Sequence, residues 1–271
     1  MARTEPPRSL FGQQLRTWRR QRGLSQLQLA TLAETTPRHM SFIETGRSRP
    51  GRELVLRLAE CMDLPVRDRN DLLTSAGLPP AFAQRDLDEQ QLRPFKTAVE
   101  AILEHHHPYP GCALDGLGTV KMTNACFRAL MPGAEDKSPE QSIDEFFGPG
   151  PMRTMIENWA EVAWTVADGR RHEAARANNP RLTELTDRIL AHMKDVPRPR
   201  GLASDAESPV VCARFRIGDQ RISTFTTVMR FQHAREITIS ELRVELIFPA
   251  NDAGAQFFRG LVQGQAADVL G

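Results

Sequence analysis

Cysteine is scarce and scattered in this 271-residue chain: Cys61, Cys112, Cys126 and Cys212 stand far apart, and no C-x-x-C pair occurs. That spacing argues against a thiolate zinc site and against a dense disulfide framework, and leaves buried, reduced thiols as the expectation. Long apolar runs are missing as well. No stretch approaches the roughly 18 uninterrupted apolar residues that a membrane-spanning helix needs, and the opening MARTEPPRSLF has no apolar core of a secretory signal. The expectation is a cytoplasmic protein with no membrane partner.

Assembled catalytic signatures are absent too. His172-Glu173-Ala174-Ala175-Arg176 comes within one residue of the zinc-protease pattern H-E-x-x-H, but Arg176 puts a cation where the second imidazole ligand is needed. Gly116-x-Gly118 lacks the rest of a dinucleotide fingerprint, and neither a G-x-S-x-G elbow nor a P-loop occurs. His105, His106 and His107 are adjacent, so on a helix they point three ways, and a solvated helix end is expected rather than a metal site. No catalytic residue, metal ligand or cofactor is assigned, and an enzyme is the disfavoured rival reading.

The formal net charge of +1 hides an asymmetry. Residues 1 to 80 hold 13 Arg against 8 acidic residues, whereas residues 81 to 271 hold 22 basic and 26 acidic ones. A basic first part suits a module that meets phosphates. The length allows two domains, each with its own core.

The first part is organised around Leu24 to Pro50. Ser25 is a good helix cap, and Leu27, Leu29, Ala30 and Leu32 follow as the apolar side of a short helix that runs out near Glu34. Thr36 can cap again, Pro37 suits a first helical position, and Gly46 stops a second helix near Thr45. Met40 and Ile43 would face inward, leaving Arg38, His39, Ser41 and Phe42 outward, with Arg47 and Arg49 directly behind. Two short helices of this kind form a helix-turn-helix, whose second helix enters the DNA major groove. Around it, Ser9 to Gly23 predicts a first helix, Arg52 to Asp63 a fourth and Val66 to Ala76 a fifth; Gly77 and Pro79-Pro80 close the domain. Arg19, Arg20 and Arg22 at the first helix's end are candidates for backbone phosphates.

The string S-Q-x-x-L-A, the threonine pair, the proline and I-E-x-G-R resemble the Xre family of bacterial helix-turn-helix regulators. The fuller TPRHMSFIETGRSRP is similar to the subgroup carrying a MmyB-like ligand-binding domain. That resemblance implies an all-α, five-helix, lambda-repressor-like head over residues 1–80. It also implies roles: Gln26 on a phosphate, and Thr36, Arg38, His39 and Phe42 facing base edges. Arg38 is chemically the best reader, because a guanidinium can bond guanine O6 and N7 together. Arg47 and Arg49 fall to phosphates, which position without specifying. Phe42 departs from the polar residue often found at its place; a thymine methyl or a sugar is its expected contact.

Residues 78 to 93 read as a polar connector. Beyond it, Pro94 starts a helix with Phe95, Val99, Ile102, Leu103 and His106 on one face. PGCALD and GTVKMTN predict two short strands, and Asn124 to Leu130 a helix. Residues 132 to 151 read as loop with a turn at Ile143 to Phe147. Met152, Met155, Ile156, Trp159, Val162, Ala163 and Val166 fall on one helical stripe. A further helix is expected over Arg181 to Met193, then a mobile excursion from Asp195 to Pro209. Val211 to Ile217 and Arg221 to Phe231 alternate as strands around Gly218-Asp219-Gln220. A helical turn at Thr238 to Glu241, a last strand at Leu242 to Phe248 and a closing helix at Asp252 to Val262 complete the chain.

This order resembles a PAS-like α+β sensor fold, and NWAEVAW with ITISELRVELIFPAND is similar to the MmyB-like carboxyl-terminal domain, here residues 92–271. The resemblance implies a small apolar, fatty-acid-like ligand. Trp159, Trp164, Phe215, Phe225 and Phe231 are candidate walls, with Arg170 or Asn124 as the polar anchor. Together these features point to a homodimeric regulator that binds a double-stranded DNA operator. The alternative is a second domain that serves only as a dimerisation or protein-contact scaffold.

Overall fold

The computed structural model describes residues 9–199, 210–217 and 219–263. The amino-terminal arm, the later part of the expected excursion and Gly218 of the hairpin turn lie outside the described residues. The chain forms two compact units: one holds the residues up to Gln84 together with Ala234–Ile237, and the other holds Arg85–His233 and the chain from Thr238 onward.

The first unit is all-α. Its helices are α1 (Leu10–Gln21), α2 (Gln26–Leu32), α3 (Pro37–Glu44), α4 (Arg52–Cys61) and α5 (Val66–Ser75). The caps read from the sequence are in place: Ser9, Ser25 and Thr36 each accept a backbone N–H of the first turn through the hydroxyl. Phe11, Leu15, Trp18, Leu29, Ala30, Met40, Ile43, Val55, Leu58, Leu72 and Leu73 share one core. One expectation changes. Leu27 and Leu32 are 62% and 54% exposed, because so short a helix buries only the narrow arc of Leu29, Ala30 and the following Ala33. Val55 takes an inward place in α4, while Leu54 and Leu56 flank the core.

This unit also runs past the prolines at 79 and 80. Asn70 of α5 is buried, accepts from Ala81 N (2.8 Å) and Phe82 N (3.0 Å), and donates to Phe82 O (2.7 Å). Its side chain thus satisfies backbone groups that would otherwise end in a loop. Ala83 then forms a parallel bridge with Glu236, and Ile237 N donates to Ala83 O (2.9 Å).

The second unit is α+β. It runs α6 (Arg93–His105), β1 (Gly111–Leu114), β2 (Val120–Thr123), α7 (Ala125–Leu130), a 3-10 turn (Ala134–Asp136), α8 (Pro139–Phe147), α9 (Pro151–Met155), α10 (Trp159–Arg176) and α11 (Pro180–Met193). There follow β3 (Ala213–Ile217), β4 (Gln220–Arg230), α12 (Ile237–Glu241), β5 (Arg243–Pro249) and α13 (Asp252–Val262). The five strands make one antiparallel sheet in the order β2-β1-β5-β4-β3, as the PAS-like reading requires of two early strands joined to three late ones. Strand alternation sorts the faces. Ala113, Met122, Val244 and Leu246 pack with Val99 and Leu103 of α6, whereas Ile222 and Ile247 meet α7 and α13 through Cys126, Phe257, Phe258 and Leu261. A third cluster joins α8 to α11, with Trp159, Ala163, Ile189 and Met193 buried and Phe215 of β3 packed against them.

Two stretches differ from the sequence reading. Residues 139–147 are a full helix, not a turn in a loop. Ser138 and Gln141 form a reciprocal capping box and Pro139 fills the first helical position, so the proline-rich composition marks a start rather than a break. The stripe from Met152 to Val166 is not one helix. At Ile156 the chain turns extended and bridges Phe215; Glu157 N donates to Arg214 O (2.7 Å), and Asn158 bonds Arg214 N (2.9 Å) and Cys212 O (2.9 Å). Pairing with β3 overrides helical periodicity there. Among the described residues, no helix is long and apolar enough to cross a membrane.

Candidate functional site

In the all-α unit one carboxylate ties three helices. Glu44, the last residue of α3, accepts from Arg19 Nε at 2.6 Å and from Arg19 Nη2 at 3.1 Å, and its Oε2 also accepts from Gln26 Nε2 at 2.7 Å. Arg19 donates further to Leu24 O (2.7 Å). Arg19 and Glu44 are both buried, so this is a buried ion pair supported by further hydrogen bonds to Leu24 O and from Gln26. Arg19 is therefore turned away from any phosphate, correcting its candidacy. Arg22 is engaged as well, donating to Met62 O (2.8 Å) and lying over the Trp18 ring; Arg20 is exposed. α1 also runs against the end of α3 so closely that a Cβ on Gly12 would lie 2.5 Å from Glu44 O.

That frame presents α3. Met40 and Ile43 are fully buried on one side, while Thr36 and Arg38 are exposed on the other. Thr36 Oγ1 accepts from His39 N (3.1 Å), and its hydroxyl hydrogen remains to donate. The Arg38 guanidinium lies 5.3 Å from the centroid of the Phe42 ring, one turn along the helix, so Phe42 is a shelf for Arg38. His39 is held from both sides: Nδ1 lies 3.1 Å from Thr35 Oγ1 and Nε2 3.3 Å from Ser48 Oγ. It thereby joins the start of α3 to the loop that carries the exposed Arg47 and Arg49. Gln26, one of whose amide hydrogens goes to Glu44, keeps a second for an acceptor outside. The seven residues named from the sequence thus lie in and around one helix, with Arg38 the freest to read.

In the α+β unit the candidates divide. Phe215 pairs with Ile222 across β3 and β4, so by alternation it lies on the sheet face opposite Phe225 and Phe231. Phe225 stacks on Phe248 (5.4 Å, 11°) and Phe231 meets Phe95 edge-on (5.8 Å), both towards α6. Trp159, Trp164 and Phe215 do come together, in the cluster of α8 to α11. Their indoles are anchored, Trp159 to Phe146 O (2.9 Å) and Trp164 to Val196 O (3.3 Å). Asn124 caps α7 and spends its amide on Gly111 N, Phe127 N, Leu103 O and Tyr109 O, which joins four pieces of backbone.

Arg170 sits in a cluster the sequence did not disclose. It donates to Glu173 Oε2 (3.0 Å), Gly116 O (3.4 Å) and Leu117 O (3.3 Å). Gly118, at φ +92°, leaves the room its guanidinium occupies. Arg230 reaches Glu173 Oε1 (3.0 Å) and Arg243 reaches Oε2 (3.4 Å). Burial, followed by the Arg243 charge, pushes the Arg170 pKa below its ordinary value. Burial alone would raise the Glu173 carboxyl, but Arg170, Arg243 and Arg230 outweigh it and hold the pKa down. Three guanidiniums gather around Glu173, with Glu245 beside Arg243 and Glu241 against Gly116. Arg243 Nε is buried without a hydrogen-bond acceptor among the described residues, with Glu245 Oε1 at 3.4 Å as its ion-pair neighbour. The Glu of the near-miss zinc string is thus an arginine partner.

The adjacent histidines separate, but not all into solvent: His106 Nε2 lies 2.9 Å from Ile247 O, and its ring packs edge-on to Phe248 and Tyr109. No three His, Cys, Asp or Glu side chains cluster as a metal site among the described residues.

Two family models match the chain. One, described as a helix-turn-helix domain, covers residues 10–72; the other, described as the MmyB-like transcription regulator ligand binding domain, covers residues 95–261. No curated protein matches it. A ligand-binding domain matched over more than half of the length, behind a matched helix-turn-helix head, makes this chain a member of the MmyB-like transcription regulator family, a DNA-binding regulator with a ligand-binding domain.

Proposed function

We propose that the protein is a cytoplasmic, operator-specific regulator that acts as a homodimer and answers to a small apolar acid of the fatty-acid kind. The observation that carries the DNA half is the outward side of α3, where Thr36 and Arg38 stand exposed on a helix whose other side is fully buried. In this reading Arg38 and Thr36 read bases, and Phe42 aims Arg38 while covering a sugar or a thymine methyl. Arg47, Arg49 and Gln26 hold phosphates, and His39 steadies the loop between them. A dimer follows from affinity: one small head buries too little to bind tightly, and two heads about 34 Å apart read a pseudo-palindrome.

For the ligand, the buried Arg243 Nε, without a hydrogen-bond acceptor among the described residues and 3.4 Å from Glu245 Oε1, and the three guanidiniums gathered around Glu173 support a carboxylate bound near Arg170 and Arg243. Trp159, Trp164 and Phe215 are the candidates for its apolar part. Ligand occupancy would then shift the equilibrium between head placements of different operator affinity.

Gel-shift competition at fixed salt tests the first half: Arg38→Ala should lose discrimination between operator and scrambled DNA, and unchanged discrimination would sink the assignment. Native mass spectrometry followed by organic extraction tests the second. A co-purifying acid supports sensing, whereas an empty protein whose melting point no added fatty acid raises supports a scaffold.

A further inference from the structure

We propose that the outer edge of β4 from Thr226 to Arg230 is the surface on which a second copy of this chain adds, strand against strand, about a two-fold axis through Val228. The inference rests on the homodimer reading and names its interface.

β3 pairs with β4 only as far as Thr224, whereas β5 pairs with β4 on its other side from Thr224 to Arg230 without a register shift. The stretch beyond Thr224 is therefore a regular strand with one edge bonded and, among the described residues, the other edge without a partner strand. Which backbone groups face outward follows from the bonded side. Ser223 O accepts from Ala250 N (2.7 Å) and Arg221 O from Asn251 Nδ2 (3.2 Å), both toward the β5 side. Strand alternation then turns Arg221, Ser223, Phe225, Thr227 and Met229 toward β5, and Thr226, Val228 and Arg230 toward the open edge.

That edge lacks the usual protections. It has no proline, lysine or bulge, and it is built of β-branched and apolar residues, with Val228 53% and Met229 43% exposed. It is also self-complementary. Antiparallel pairing about Val228 sets Val228 opposite Val228 of the second copy and Thr226 opposite its Arg230, all outward-facing residues, so each pair exchanges both N–H···O bonds. The two valines cover each other. Arg230, already held by Glu173 Oε1 at 3.0 Å, meets a threonine, whereas centring the axis on Arg230 would set like charges together. A two-fold axis is also what a pair of heads on a pseudo-palindrome requires.

Sedimentation equilibrium on the full chain tests this with Val228→Pro and Val228→Lys. The proline removes an N–H that β5 does not use, on an edge where proline is tolerated; the lysine sets two cations on the axis. Wild-type protein should be a dimer at micromolar concentration. Loss of dimer affinity by about tenfold or more, in either variant that keeps its wild-type melting point, supports the edge. Retention by both overturns it while leaving the homodimer reading intact, and a monomeric wild type overturns both. If both variants melt early, Val228→Cys decides: a short bis-maleimide should join two copies beyond the wild-type background, and failure to do so overturns the proposal.

Discussion

Gln26 Nε2 donates to Glu44 Oε2 at 2.7 Å, on the same carboxylate whose Oε1 takes Arg19 Nε at 2.6 Å. One acid therefore holds the end of α3 against α1 and aims the first residue of α2. The exposed side of α3 is built from the inside outward.

Removing that acid should be costly. Glu44→Ala leaves Arg19 buried without its partner, and loss of one member of a buried pair costs about 3–5 kcal/mol. Urea denaturation should show it. Replacing both residues, Arg19→Met with Glu44→Leu, should restore most of the stability but not operator affinity, because Gln26 loses its anchor.

Gly12→Ala should also destabilise the head, since the added Cβ would sit 2.5 Å from Glu44 O and the backbone has to move. Overpacking of this kind costs about 1–3 kcal/mol. A melting curve that did not move would show that α1 and α3 approach less closely than described.

Phe42→Ala is expected to weaken operator binding more while Arg38 is present than after its removal. In a double-mutant cycle with Arg38→Ala, the coupling should be about 0.5–1 kcal/mol, the range of an exposed cation over an aromatic ring. A zero coupling would assign Phe42 to the DNA alone.

Acid should loosen the α8–α11 pairing. Hydrogen bonds from Arg188 and then His192 hold the Asp144 carboxyl down to about 2 from 3.8. A depressed acid stabilises the fold above its unfolded value and loses that contribution as pH falls from about 4 through 2. The side chain is 41% exposed, so solvent screening limits the effect to less than about 1 kcal/mol. Asp144→Asn should flatten the stability profile between pH 5 and 2 by about that amount in urea titrations.

Much of the head could be read because its signals are local. Ser9, Ser25, Thr36 and Pro37 declare helix starts through their own chemistry, and Met40 and Ile43 declare the buried side of α3 by spacing. What could not be read was long-range. Nothing near Arg19 announces Glu44, and Asn70's hold on residues 81 and 82 depends on chain folding back. In the second unit the alternation of β3, β4 and β5 was legible, whereas the break at Ile156 was not, because pairing with Phe215 outweighs an unbroken apolar stripe. Asn124 was legible as the start of a helix and was named as a polar anchor for a ligand, but its partners at Leu103, Tyr109 and Gly111 lie outside that helix. Arg170 stood out; Glu173, Arg230 and Arg243 became its neighbours only once α10, β4 and β5 were placed.

Ala234–Ile237 belong to the head although they follow β4, some 150 residues after Gln84. The head is consequently not a contiguous cassette. A fragment cut after residue 84 would leave the Ala83 carbonyl without the Ile237 N–H and would lose the buried Glu236 and Ile237. Recombination that exchanges heads between relatives at the polar connector would thus split a small piece of structure encoded far downstream, so the two halves of such a gene are expected to be inherited together.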